Sequence, residues 1–112
     1  QLVRRVMQAF DASIGRLLPM LEPGPLGHDP AAVRHVTHTL RPSAASLGAL
    51  RLAALCGECE QALRQGQDAR TLATMLQGLS EEMIHIQTGV RQRLETMTAA
   101  ALVKAAETGR LQ

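Results

Sequence analysis

A chain of 112 residues is long enough for one hydrophobic core and too short for a cleft between two lobes, so it reads as a single domain over 1–112. With one Phe, no Trp and no Tyr, and with Ala, Leu, Met, Arg and Gln dominant, the vocabulary is helical and the fold expected is all-α. A net charge of +2 spread over mixed acids and bases, and no apolar run near the roughly 20 residues that span a bilayer, speak against nucleic acid and against membrane contact by this domain.

The apolar residues Val3, Val6, Phe10, Ile14, Leu17 and Leu21 recur at the spacing of one helical face and define a first helix. Pro19 lacks an amide donor and crowds the carbonyl of Gly15, so the last turn is expected to kink or fray before PGPLGHD, which reads as a loop. Asp29 before Pro30 is an N-cap with proline at the first helical position. It opens a second helix that turns Val33, Val36 or Thr37, Leu40, Ala44 and Leu47 inward. The SLGA segment interrupts that helix, with Ser46 as a candidate cap and Gly48 as a point of backbone relaxation. Leu52, Leu55, Cys56, Cys59 and Leu63 then mark a third helix closed by Gly66. Asp68 caps the fourth. Its face Leu72, Leu76, Leu79, Met83, Ile86, Val90, Leu94, Met97 and Ala101 covers about 30 residues, or about 44 Å, with Gly78 and Gly89 as places to bend.

Four amphipathic helices with short connections make an antiparallel up-down four-helix bundle the economical fold, with a long C-terminal helix that overhangs its partners. The overhang offers a surface to the first helix, to a neighbouring domain, or to a second copy in a homodimer, and the sequence leaves these open. Cys56 and Cys59 form a CxxC, which elsewhere serves as a redox pair or half a zinc site. Here no strand precedes it and no second ligand pair follows, so two reduced thiols at least partly in the core of a cytosolic protein are expected.

On the second helix Arg34, His38, Arg41 and Ala45 form a strip pointing away from Val33 and Leu40, which puts His38 at the surface. An exposed histidine on a bundle helix is ordinarily only a surface residue. Two features set this one apart. Arg41 places a fixed positive charge one turn on, and Pro42, Ala44 and Ala45 beyond it are too small to obstruct an approaching partner.

HTLRPSAASLGALRLAALCGECEQALRQG, from His38 to Gly66, resembles the signature of histidine-containing phosphotransfer (HPt) domains. That signature has a histidine, a hydrophobic residue two later, Lys or Arg three later, a small segment, a leucine-glycine step and a following helix with an acidic or amide residue. The resemblance implies a phosphoryl carrier between receiver domains of a multistep two-component relay, often the last domain of a hybrid sensor kinase. It implies His38 as the phosphorylated histidine and Arg41 as the cation that holds the phosphoryl oxygens. Glu60, 22 residues after His38, takes the position of a group that hydrogen-bonds the imidazole. Arg64 lies a turn further, where a basic residue is frequent, and Arg34, Pro42, Ala45 and Arg64 are expected to face the partner. Pro42 departs from the pattern, which most often has Gly there. It cannot donate to the His38 carbonyl, so a kinked or locally opened helix is expected just below the site.

The chemistry suits this assignment. An unperturbed histidine titrates near about 6.5, leaving much of it a neutral nucleophile, and an aspartyl phosphate is reactive enough to need no protein base. No P-loop is present, so no ATP chemistry and no cofactor of the domain's own are expected, with Mg²⁺ supplied by the partner receiver. The resemblance implies a cytoplasmic placement, alone or as the C-terminal domain of a membrane-bound sensor kinase. Two other readings compete. His35 and His38 are spaced to share a metal ion, but no carboxylate lies beside them on the second helix and nothing brings His28 and His85 to them. The second is a helical interaction or dimerisation module in which His38 is incidental; phosphate incorporation separates the three.

Overall fold

In the computed structural model, which describes residues 2–111, the chain forms α1 (Leu2–Leu17), a 3₁₀ turn (Leu18–Leu21), α2 (Pro30–Ser46), α3 (Leu50–Gln65) and α4 (Ala69–Leu111). The connections 47–49 and 66–68 are short, so successive helices run antiparallel, and α4 closes the bundle against both α1 and α3. The fold is the all-α up-down bundle with a long last helix that the periodicity implied.

The caps act as their chemistry suggests. Asp29 accepts a hydrogen bond from the Ala31 amide at 3.0 Å, with Pro30 opening α2. Asp68 accepts from the Thr71 amide at 2.7 Å, and that bond holds its carboxyl below the ordinary carboxylate range. At the end of α3, Gly66 adopts φ 66, its amide donates to the Leu63 carbonyl, and the Gln67 amide donates to Ala62. The same pair of bonds ends α2, from Gly48 to Ala45 and from Ala49 to Ala44, with Gly48 at φ 80. Backbone groups therefore make this turn. Ser46, expected as a cap, is the last residue of α2, while α3 starts at Leu50 with Ala49 at its N-cap and no side-chain cap bond. Pro19 sits in the first turn of the 3₁₀ segment, so the fraying expected of helix one takes the form of a tightened turn closed by Glu22 on the Pro19 carbonyl.

The core joins Phe10, Ile14, Leu17 and Leu21 to Val33, Val36, Leu40 and Ala44, with Leu52, Cys56 and Cys59 from α3 and Leu76, Leu79 and Met83 from α4. Val36 and Thr37 are both buried. The Thr37 hydroxyl donates to the Arg34 carbonyl at 3.2 Å and so carries no unmet donor into the core. Leu47, expected to point inward, is 39 % exposed, because α2 ends at Ser46 and the chain leaves the helical face there. Val3 and Val6 are exposed as well, on the first turns of α1 outside the core.

Among the described side chains of α4, Leu76, Leu79 and Met83 are fully buried; Leu94 and Met97 are half-buried and Ala101 is exposed. The helix has 43 residues against 16 or 17 in its partners, about 64 Å at 1.5 Å per residue, and it sets the 65 Å long axis of the molecule. It outruns the expected stripe because its Ala-rich end is held by helix propensity rather than by burial.

Cys56 and Cys59 are both buried and free. Burial first, then the neighbouring Cys59, pushes the Cys56 thiol from 9.0 up to about 12, and burial with Glu58 pushes Cys59 up to about 11. Neither is a nucleophile at neutral pH. An unfolded chain releases these protons near pH 9.0 while the folded chain keeps them, so their stabilising effect is complete below pH 9.0 and is lost as pH rises towards 11 and 12. Replacing both by Ala is expected to cost about 1–3 kcal/mol at pH 7 and to flatten the alkaline decline. Urea midpoints at pH 7 and pH 10 check this; a double variant as stable as wild type at pH 7, or with an unchanged alkaline slope, contradicts it.

Candidate functional site around His38

Because α2 commits Val33, Val36, Thr37, Leu40 and Ala44 to the core, the residues between them, Arg34, His38, Arg41, Pro42 and Ala45, remain on the exposed side. His38 is thus presented to solvent from the middle of a packed helix. Among the described residues it makes no side-chain hydrogen bond, and its place is set by the burial of its neighbours on α2. Arg34 and Arg41 lie one turn before and one turn after it.

Arg41 is half exposed but does not stand free. Its side chain crosses to α3, where Nη1 donates to Glu60 Oε2 at 3.3 Å; Arg41 is 52 % exposed and Glu60 15 %. The guanidinium lies over Gly57, close enough that an added Cβ there would stand 3.1 Å from Cζ. Glu60, expected beside the imidazole, is engaged with Arg41, and among the described residues no hydrogen bond joins it to His38. The physical reason is charge: a carboxylate within reach of a fixed guanidinium takes the charge-assisted bond. Arg64, a turn further on α3, is exposed and donates from Nη2 to Gln61 Oε1 at 2.7 Å.

Helix α2 continues through Pro42 to Ser46, so the local opening expected there does not interrupt it. What proline removes is the amide that would otherwise bond the His38 carbonyl. On the side away from Arg41, Pro42 lines a shallow groove of about 360 Å³ between α1 and α2 with Val6, Ala9, Phe10 and Ser13. The residues that follow His38 on α2 thus reach in two directions, Arg41 to the ion pair on α3 and Pro42 to the groove on α1.

The other histidines have different settings. His28 lies in the loop before α2 with its Nδ1 buried and without a hydrogen-bond partner, while His35 and His85 are exposed with no arginine one turn on. Among the described residues no three His, Cys, Asp or Glu side chains converge as metal ligands.

Gly57 escaped the sequence reading, as did the groove on α1. A glycine inside LCGEC, where Ala would favour the helix by about 1 kcal/mol, is a signal of close approach that could have marked it.

The sequence model of the Hpt domain matches residues 2–101. The chain belongs to the Hpt family. No curated protein and no solved structure gives a significant match. As an Hpt domain the chain is a phosphoryl carrier of a phosphorelay and interacts with receiver domains. The Hpt match ends at Ala101, where the apolar stripe of α4 also ends, so the last turns of the overhang lie beyond the family's common body. Among the described residues no helix is long and apolar enough to cross a membrane.

Proposed function

We propose that His38 is the phosphoryl-carrying histidine, accepting the group from a receiver-domain aspartate and passing it to the aspartate of another receiver. The observation that carries this reading is an exposed imidazole on a rigid helix with Arg41 held one turn away by Glu60. Nε2 attacks phosphorus, a P–N bond forms as the P–O bond to the aspartyl carboxylate breaks, and that carboxylate leaves with the electron pair. The ring then gives its Nδ1 proton to solvent, and return transfer reverses each step.

Negative charge on the three phosphoryl oxygens needs cations at fixed positions. Arg41 supplies one from this chain, and the receiver's Mg²⁺ supplies another. Glu60 acts through Arg41, keeping its guanidinium on α3 beside the histidine. Pro42 and Ala45 leave room for a receiver to approach, and Arg34 and Arg64 offer it positive charge on either side. In this reading the carrier neither makes nor hydrolyses ATP and works in the cytoplasm, by itself or within a hybrid kinase.

The test is incubation with a panel of phosphorylated receivers and Mg²⁺, followed by addition of an unlabelled second receiver. Acid-labile, alkali-stable label that appears on the domain and then moves to the second receiver is the expected result. Absence of label across a broad panel would sink the assignment.

A further inference from the structure

Gly57 stands in the middle of α3, where a glycine weakens a helix relative to alanine. The space above it is filled: a Cβ built at Gly57 would lie 3.1 Å from Arg41 Cζ, 3.2 Å from Nη2 and 3.5 Å from Nε. Three atoms of one planar group at similar distances mean that the guanidinium turns its face to the position a Cβ would take at Gly57. At no other described glycine would an added Cβ meet a charged side chain. From that floor Nη1 reaches Glu60, one turn further along α3, at 3.3 Å.

We infer that Gly57 is a positioning residue for phosphoryl transfer, its missing side chain forming the floor that keeps the Arg41 guanidinium on α3 next to His38. The inference rests on the roles given to His38 and Arg41 above. A free arginine side chain samples many rotamers, and each must be given up when the phosphoryl group arrives. A guanidinium already stacked on a helix and paired with a carboxylate needs little rearrangement at that moment, which is what electrostatic stabilisation of a transition state requires. Any side chain at position 57 begins with a Cβ closer to Cζ than ordinary van der Waals contact, so the guanidinium must give by a few tenths of an ångström for Ala and by more for a larger side chain. Glycine forgoes helix stability here in return for placement of a charge.

The two effects have opposite signs, which makes the role measurable. Gly57→Ala should raise the thermal midpoint by about 4 °C while slowing single-turnover transfer from a phosphorylated receiver about threefold. Gly57→Leu should approach the loss of Arg41→Ala, expected to be about tenfold. In an Arg41→Ala background neither Gly57 substitution should change the rate further. If Gly57→Ala and Gly57→Leu transfer at the wild-type rate while Arg41→Ala is slow, the inference is overturned and the site reading stands. If the Gly57 variants slow transfer equally with and without Arg41, the effect does not pass through the guanidinium and the inference is again wrong. Wild-type transfer by Arg41→Ala would instead sink the site reading beneath it. Should Gly57→Leu fail to fold, Gly57→Ala decides alone.

Discussion

The His38→Gln variant should take up no phosphoryl label from any receiver that labels the wild type, a loss of at least about 10³-fold. Glutamine keeps the length and polarity of the side chain but has no nucleophilic nitrogen, so the substitution removes the bond-forming atom and little else. His38 is exposed and makes no hydrogen bond among the described residues, so stability should change by no more than about 0.5 kcal/mol. His28→Gln, His35→Gln and His85→Gln should label normally. His35 lies one turn before His38 on α2 and so farther from Arg41, His85 is on α4, and His28 is partly buried in a loop. None has Arg41 beside it. Persistent label in His38→Gln would move the site to one of these three.

Leu79→Ala should lower the unfolding free energy by about 2–5 kcal/mol, a large part of the about 5–15 kcal/mol that holds a domain of this size. Leu79 is fully buried in the stretch of α4 that closes the bundle, and removing its outer carbons leaves a cavity that packed helices can only partly fill. Leu102→Ala, on the overhang of the same helix where the side chain is 66 % exposed, should cost less than about 0.5 kcal/mol. Both variants should transfer phosphate normally when folded, since neither residue belongs to the site. Urea unfolding beside a transfer assay checks the pair. Equal costs at the two positions would mean that the core is not where the structure puts it.

Much of this was legible in the sequence because it is local. Asp29, Asp68 and Gly66 announce their helix ends through hydrogen bonds that span only a few residues, and the three-and-four spacing of α2 turns His38 outward whatever the bundle does. What was not legible depends on register between helices. Arg41 and Glu60 are 19 residues apart, and their pairing is decided by how α2 lies on α3, which spacing along either helix does not reveal. Gly57 follows from the same register. Leu47 belongs to the α2 stripe by spacing alone, and only the backbone turn at Gly48 removes it from the core. The last turns of α4 continue no apolar stripe, and only the Ala-rich TAAALVKAAE reads as a helix tail there. Their helix is continuous with a packed one and so escapes the cost of nucleation that would limit the same sequence in isolation.

The measurement that bears most directly on His38 as the carrier is localisation of the phosphate in wild-type protein labelled by a receiver, by ³¹P NMR and by peptide mapping at alkaline pH. The account predicts an acid-labile phosphoramidate on the peptide that contains His38, at no more than one phosphate per chain. Phosphate on His28, His35 or His85, or an alkali-labile acyl phosphate on a carboxylate, would contradict it.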